Sequence, residues 1–118
     1  MPDRRILSGL PHRVLYASFD RVPSPKGAAT HIERFAGALF EAFGGGLLHV
    51  LGGGDLASHE VEGAIEVVRH PGREANFLDR AESFGRSLAH VLDDSGETLE
   101  LCHFRDPWSG VPILSRPR

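Results

Sequence analysis

Two kinds of hydrophobic pattern alternate along the chain. Short, nearly continuous apolar runs predict strands that are buried on both faces, whereas apolar residues spaced three and four apart predict amphipathic helices. The apolar runs occupy residues 12–19, 47–51, 64–69 and 99–104. Strands and helices that alternate in this way predict an α/β domain with a mainly parallel sheet, of the three-layer Rossmann-like kind.

Two amphipathic helices are expected between these strands. In the first, Thr30 and Glu33 have the spacing of a capping box, and the apolar stripe of residues 32–43 ends at three glycines. In the second, Asn76 is a suitable N-cap residue, and the stripe of residues 77–92 indicates about four turns. A last helix after Gly110 would be limited by the prolines that follow it.

Composition narrows the class of protein. The 118 residues are 41% apolar and include one cysteine, which excludes a disordered tail, a disulfide scaffold and a cysteine-built zinc site. Residues 1–12 are expected to form an N-terminal tail and residues 13–118 one domain. No apolar segment suits a signal peptide or a membrane span, so a cytoplasmic protein is expected, with peripheral membrane association left open.

Charge argues against one class of partner. The net charge of −3 comes without the strong basic stripe that nucleic-acid binding usually needs. The segments around Lys26 and Arg105 are more positive than the middle of the chain. We therefore expect no nucleic-acid partner, and we expect the two positive segments to meet at one anion-facing cleft.

The loop after the first strand is the first candidate site, because parallel sheets bind ligands beyond the carboxyl ends of their strands. Gly27 and Ala28 are small enough to let backbone N–H groups near Thr30 approach an anion at the helix start. Lys26 and His31 flank this position. The loop lacks both the dinucleotide fingerprint and the phosphate-binding P-loop, and tight helix–sheet packing would explain the small residues equally well.

The loop after the last strand is the second candidate site. His103, Arg105, Asp106 and Trp108 would supply a titrating group, a phosphate-binding fork and a sugar-stacking surface. Each also has a structural explanation. His103 would be a buried strand histidine, Arg105 and Asp106 a solvated ion pair, and Trp108 an aromatic cap on the core. No pair of histidines has metal-ligand spacing on a helix, so no metal site is expected.

These two segments resemble a known family. Residues 14–32, VLYASFDRVPSPKGAATHI, resemble the opening of retaining glycosyltransferases of the family-4 type, and residues 101–110, LCHFRDPWSG, resemble that family's fourth-strand motif. The resemblance spans residues 13–114. Two positions depart from the family pattern: Ala28 follows Gly27 where paired glycines are common, and Arg105 stands at the second histidine of a His-x-His motif.

The resemblance implies one half of a two-domain enzyme with the B fold. The chain would be the N-terminal, acceptor-side domain, and the C-terminal donor-binding domain would be absent. These residues alone would therefore be inactive, and whether the chain is itself an enzyme stays open. The implied partners are a nucleotide-diphosphate sugar and a sugar or lipid-linked acceptor. No cofactor is implied. A half-enzyme would also expose apolar surface through which it could form a homodimer.

Roles for individual residues follow from the same resemblance. The donor diphosphate would approach the helix start at Gly27, Ala28 and Thr30. The residues expected to take part in catalysis are His103, Arg105 and Asp106, and those expected to bind substrate are Lys26, His31 and Trp108.

Two other functions remain open at this point. The length suits a self-sufficient α/β module that binds a nucleotide or another anion without catalysis. An NAD-binding domain is a weaker alternative, because the glycine fingerprint is missing.

Overall fold

A computed structural model describes residues 12–25, 27–95 and 98–115. Residues 1–11 of the expected tail and Lys26 lie outside the described residues. The elements in chain order are β1 (Val14–Arg21), α1 (Gly27–Phe43), β2 (Gly46–Leu51), β3 (His59–Glu62), β4 (Ile65–His70), α2 (Phe77–Ser95), β5 (Leu101–Phe104) and α3 (Pro107–Leu114).

The strands form one mixed sheet in the order β3-β4-β2-β1-β5. β1 pairs in parallel with both β2 and β5, β2 pairs in parallel with β4, and β3 alone is antiparallel to its neighbour β4. The chain runs from β1 outward through β2 to β4, then returns past β1 to add β5 on the other side. This reversal leaves a crevice between β1 and β5 at the carboxyl ends of the strands, where open α/β sheets bind ligands.

Alternating residues of β1 point to opposite faces and build two cores. On one face, Val14 and Tyr16 pack with α1, chiefly through Ile32, Ala36 and Phe40. On the other face, Leu15 and Ala17 pack with α2, chiefly through Phe84, Leu88 and Leu92. Ile113 of α3 packs against this second core. Helices on both faces of a mostly parallel sheet confirm the predicted α/β class and are compatible with a Rossmann-like fold.

The start of α1 was predicted wrongly from the capping-box spacing. The helix begins at Gly27, so Thr30 and Glu33 both lie inside it and Thr30 does not cap it. The prediction for α2 is confirmed, because Asn76 Oδ1 accepts the N–H groups of Leu78 and Asp79 at 2.8 and 3.2 Å. Helix α2 then continues to Ser95.

Two further elements differ from the expectation. Strand β3, with the sequence HEVE, is mostly exposed and has no apolar run, so the hydrophobic pattern did not reveal it. Helix α3 contains Pro112 and still extends to Leu114, because Asp106 caps it and Pro107 occupies its first turn. Cys102, predicted to be buried, is half-buried in β5.

Candidate functional site

The carboxyl ends of β1 and β5 are joined by an ion pair. The Asp20 carboxylate accepts hydrogen bonds from Ser18 Oγ and from Arg105 Nη1, the latter at 3.2 Å. The Arg105 and Asp20 side chains are 32% and 35% exposed. So exposed a pair adds little to stability, but it holds the Arg105 guanidinium at the point where the strand order reverses.

Asp106 makes a second connection between these strands. Its carboxylate accepts the backbone N–H of Phe19 at 2.8 Å, the N–H of Ser109 at 2.9 Å and the Ser109 hydroxyl at 3.3 Å. It is thus the N-cap of α3 and an anchor for β1 at once. These contacts give Asp106 a positioning role, and its expected part in catalysis stays a prediction.

His103 packs on the α1 side of the sheet against two aromatic rings, Tyr16 and Phe35, which also contact each other. Its ring centroid is 4.8 Å from that of Tyr16 and 4.7 Å from that of Phe35, with interplanar angles of 26° and 28°. The His31 ring lies 6.0 Å from Phe35. We call Tyr16, His31, Phe35 and His103 the histidine stack. Since Phe35 is 41% exposed, the stack reaches the surface.

The hydroxyl of Tyr16 is buried within this stack. Tyr16 is fully buried, and its hydroxyl has no hydrogen-bond partner in the part of the chain that the structure describes. Burial raises the pKa of Tyr16; the charge of Arg105 opposes this, and the carboxylates of Asp20 and Asp106 add to it. The phenol therefore lies within electrostatic reach of the charged groups at the strand reversal.

A cleft of about 470 Å³ opens beside the Asp20–Arg105 pair. We call it the arginine cleft, and it is lined chiefly by Phe19, Asp20, Arg21, Leu51, Phe77 and Arg80, with Ser24, Ala29 and Gly72 at its margins. Its walls come from the carboxyl ends of β1 and β2, from the start of α1 and from the first turn of α2. Asp20 belongs both to this cleft and to the ion pair with Arg105.

Each arginine of the cleft is held by a backbone carbonyl. Arg21 Nε donates to the carbonyl of Gly52 at 2.6 Å, and Arg80 Nη1 donates to that of Glu74 at 2.8 Å. Among residues 12–25, 27–95 and 98–115, neither forms an ion pair. The Glu74 carboxyl has a lowered pKa, caused first by hydrogen bonds from its own backbone and from Ser83 and further by the charges of His70 and Arg80.

A separate polar cluster lies toward the amino ends of the strands. The buried carboxylate of Glu66 is 2.8 Å from His12 Nε2 and 2.5 Å from His59 Nε2. Burial by itself would raise the pKa of Glu66, but the hydrogen bonds and charges of the two histidines outweigh it, and the pKa is lowered. This cluster joins β3 and β4 to the segment before β1 and is remote from the crevice.

The predicted site residues fall into three groups. His31 and His103 both lie beside the Phe35 ring, and Arg105 follows at the end of β5, where it pairs with Asp20 of β1. Trp108 lies on the opposite face of the sheet, where its ring contacts Phe19 and Phe77 edge-on at 6.4 and 5.4 Å. It packs there with the half-buried Phe19 and the exposed Phe77 and does not contact the histidine stack.

The third group forms the first turn of α1. Gly27 and Thr30 are exposed and Ala28 is half-buried, and a Cβ at Gly27 would meet no atom within 4 Å. Backbone at this helix start is therefore open to approach by a ligand. Whether it binds the diphosphate stays a prediction.

Sequence reasoning missed several residues of this region. Asp20, Arg21 and Arg80 line the arginine cleft, and Tyr16 and Phe35 both pack against His103. For Asp20 and Arg21 a signal existed, because they follow an apolar run at the end of a predicted strand. Phe35 and Arg80 lie inside helical stripes that give no such indication.

Comparisons with known proteins add no relative. No family model, curated protein or solved structure matches the chain. No group of three or more His, Cys, Asp or Glu side chains suited to a metal ion occurs among the described residues. Within the same residues, no helix has the length and hydropathy needed to cross a bilayer.

Proposed function

We propose that the chain is the acceptor-side domain of a B-fold glycosyltransferase, which transfers a sugar from a nucleotide-diphosphate sugar to an acceptor with retention. The observation that carries this proposal is the position of His103 and Arg105 at the end of β5, beside β1, with His31 of α1 on the other side of the Phe35 ring. The two sequence segments that resemble the family thereby meet in space, through the parallel pairing of β1 with β5.

The chemistry of these groups suits sugar transfer. Arg105 cannot act as a base at neutral pH, but its guanidinium can neutralise a phosphate or orient a hydroxyl. The half-exposed edge of the histidine stack offers imidazole nitrogens beside flat apolar surface, as a polar ring with an apolar face requires. Catalysis would then rest on positioning and on electrostatic stabilisation of the leaving diphosphate.

The start of α1 would contribute to the same event. A Cβ at Gly27 would meet no atom within 4 Å, and the helix dipole favours an anion at this end of α1. The donor nucleotide itself would be held by a second domain facing this edge of the sheet. The described residues would therefore bind acceptor and assist the leaving group, without turnover on their own.

Retention and residue roles can be tested together in the full product of the gene. The protein is incubated with a panel of nucleotide sugars and sugar acceptors, and the anomeric configuration of the product is read by NMR. We expect His103→Ala and Arg105→Gln to lower kcat/KM by at least about tenfold. Arg86→Gln is the control, because Arg86 lies on the surface of α2 in an exposed pair with Glu82, and it should retain most activity.

Three results would contradict the proposal. One is turnover of a nucleotide sugar by residues 1–118 alone. Another is a reading frame that stops directly after Arg118, since no donor domain would then follow. The third is full transfer activity in the Arg105→Gln variant.

A self-sufficient anion-binding module is the second candidate function. The observation that favours it is the arginine cleft, which is formed entirely by this chain. Tight, stoichiometric nucleotide binding by residues 1–118, measured by calorimetry, would support this alternative over the half-enzyme.

A further inference from the structure

We propose that the arginine cleft binds the phosphate group of a phosphorylated ligand, between Arg21 and Arg80. Neither residue belongs to the histidine stack, and Arg80 lies outside both segments that resemble the glycosyltransferase family, whereas Arg21 lies within the first of them. The inference rests on the proposed function in one respect only: that the phosphorylated ligand is the sugar acceptor.

The two guanidinium groups are fixed in place with donors to spare. Arg21 uses Nε on the Gly52 carbonyl, and Arg80 uses Nη1 on the Glu74 carbonyl. Within the described residues, both terminal nitrogens of Arg21 have no protein acceptor. The same is true of Nε and Nη2 of Arg80. A guanidinium that is already oriented loses little further entropy when it binds, and its planar fork matches a phosphate.

The backbone around Arg21 is shaped to hold it. Gly53 has a φ of +132°, and a Cβ at this position would lie 3.1 Å from Arg21 Nε. A side chain here would thus be strained and would press on the guanidinium. Across the cleft, a Cβ at Gly72 would lie 3.1 Å from Leu51 and 3.4 Å from Arg80 Cδ, so the other wall also depends on a glycine.

The charges around the cleft favour an anion. Asp20 is the one carboxylate in its lining, and its charge is matched by Arg105 at 3.2 Å. Asp79 and Glu82 are the acidic residues nearest Arg80 in sequence, and neither forms an ion pair with it within the described residues. Arg80 binds the carbonyl of Glu74, and its charge helps to lower the pKa of the Glu74 carboxyl. Arg21 and Arg80 thus supply positive charge that no ion pair within the described residues neutralises, and the N-terminus of α1, at Ala29, adds to it.

The rest of the lining indicates what the phosphate is attached to. Phe19, Leu51 and Phe77 form apolar walls, whereas Ser24 and Asp20 are polar groups at the mouth. A cleft of about 470 Å³ is of the size that holds a small organic ligand. This combination suits a phosphate monoester of a sugar or polyol better than a bare inorganic ion.

The test uses residues 1–118 and four probes: inorganic phosphate, glucose 6-phosphate, unphosphorylated glucose and phosphatidic acid vesicles. Binding is followed by NMR chemical shifts and by calorimetry, and by co-sedimentation for the vesicles. We expect a phosphate probe to bind and glucose not to bind. Arg21→Gln and Arg80→Gln should each weaken phosphate binding by about tenfold, as the loss of one charge-assisted contact predicts.

Arg86→Gln is the matched control, because Arg86 lies on the same helix as Arg80 but pairs on the surface with Glu82. Its affinity for phosphate should equal that of the wild type. Binding of the free ester places the phosphate on a soluble ligand, and binding restricted to vesicles places it on a lipid headgroup; either supports the site if both arginines are required. Equal losses in Arg86→Gln, or undiminished binding when Arg21 and Arg80 are both replaced, would overturn it.

The same experiment separates this inference from the proposed function. Phosphate binding that needs both arginines, in a full gene product that transfers no sugar, would leave the site standing and remove the glycosyltransferase. Sugar transfer that is unchanged when both arginines are replaced would support the glycosyltransferase and remove the phosphate site.

Discussion

The carboxylate of Asp106 accepts the backbone N–H of Phe19 at 2.8 Å, and so connects the end of β5 to the end of β1 across 87 positions of sequence. The same carboxylate caps α3. One side chain thus sets both the width of the crevice and the direction of the helix that leaves it.

Replacing Asp106 by alanine should destabilise the protein by about 3 kcal/mol, because a helix cap is lost and the N–H of Phe19 is left without its partner. Urea unfolding followed by circular dichroism measures the change. Asp55→Ala, an exposed turn residue, is the matched control and should stay within about 0.5 kcal/mol of the wild type. Equal effects of the two substitutions would refute the anchoring role.

Glu66→Gln should cost about 2 kcal/mol at neutral pH, because the buried carboxylate binds His12 and His59 and an amide cannot accept from both in the same way. Its effect should depend on pH. The folded-state pKa of Glu66 is lowered from 4.5, so the stability it contributes is complete above that value and is lost as the pH falls through the lowered pKa.

Unfolding free energies measured between pH 7 and pH 3 check this dependence. At the acidic end of that range, the unfolding free energy of the wild type should no longer exceed that of Glu66→Gln. Glu62→Gln, on the exposed face of β3, should run parallel to the wild type throughout. A constant difference between wild type and Glu66→Gln at every pH would show that the ionised carboxylate is not what matters.

Tyr16→Phe should leave stability unchanged or raise it by up to about 1 kcal/mol, because it removes a buried hydroxyl without a partner among the described residues. The folded-state pKa of Tyr16 is raised above 10.0. Stability contributed by the protonated phenol is therefore present below pH 10 and is lost as the pH rises toward the raised value. The variant should lack this alkaline loss.

The chain contains a single tyrosine, so an ultraviolet absorbance titration reports Tyr16 alone. Titration at or below the ordinary value in the folded protein would contradict the buried placement. A large loss of stability in Tyr16→Phe would show instead that the hydroxyl has a partner.

Arg69→Met should destabilise the protein by about 3 kcal/mol. The buried Arg69 guanidinium donates to the carbonyls of Val22 and Ala57 at 2.8 and 3.0 Å, and methionine would leave both without a donor. Hydrogen exchange in residues 52–58 should also become faster, since this loop loses its side-chain attachment to β4 and keeps only the backbone hydrogen bonds at its two ends. Arg86→Met, which removes an exposed helical ion pair, should cost less than about 0.5 kcal/mol and leave that exchange unchanged.

Local patterns predicted the parts of the fold that local physics controls. The continuous apolar run of β2 predicted a strand, and all six of its residues are buried. Asn76 predicted the start of α2, because a capping side chain binds backbone N–H groups within one helical turn. The Thr30–Glu33 spacing predicted the wrong start for α1. The β1–α1 loop and the packing of Ala29 place the start of the helix earlier, because tertiary burial overrode a weak local preference.

By itself, the sequence determined the α/β class, both long helices and the loops that carry the charged residues, because each depends on hydrophobic periodicity over a few turns or one strand. Only the tertiary structure decided that β5 lies beside β1, that His103 packs against Tyr16 and Phe35 while Trp108 lies on the opposite face of the sheet, and that Arg21 and Arg80 share a cleft. Those outcomes depend on strand order and on how the helices pack against the sheet. Neither is encoded in the spacing of residues along the chain.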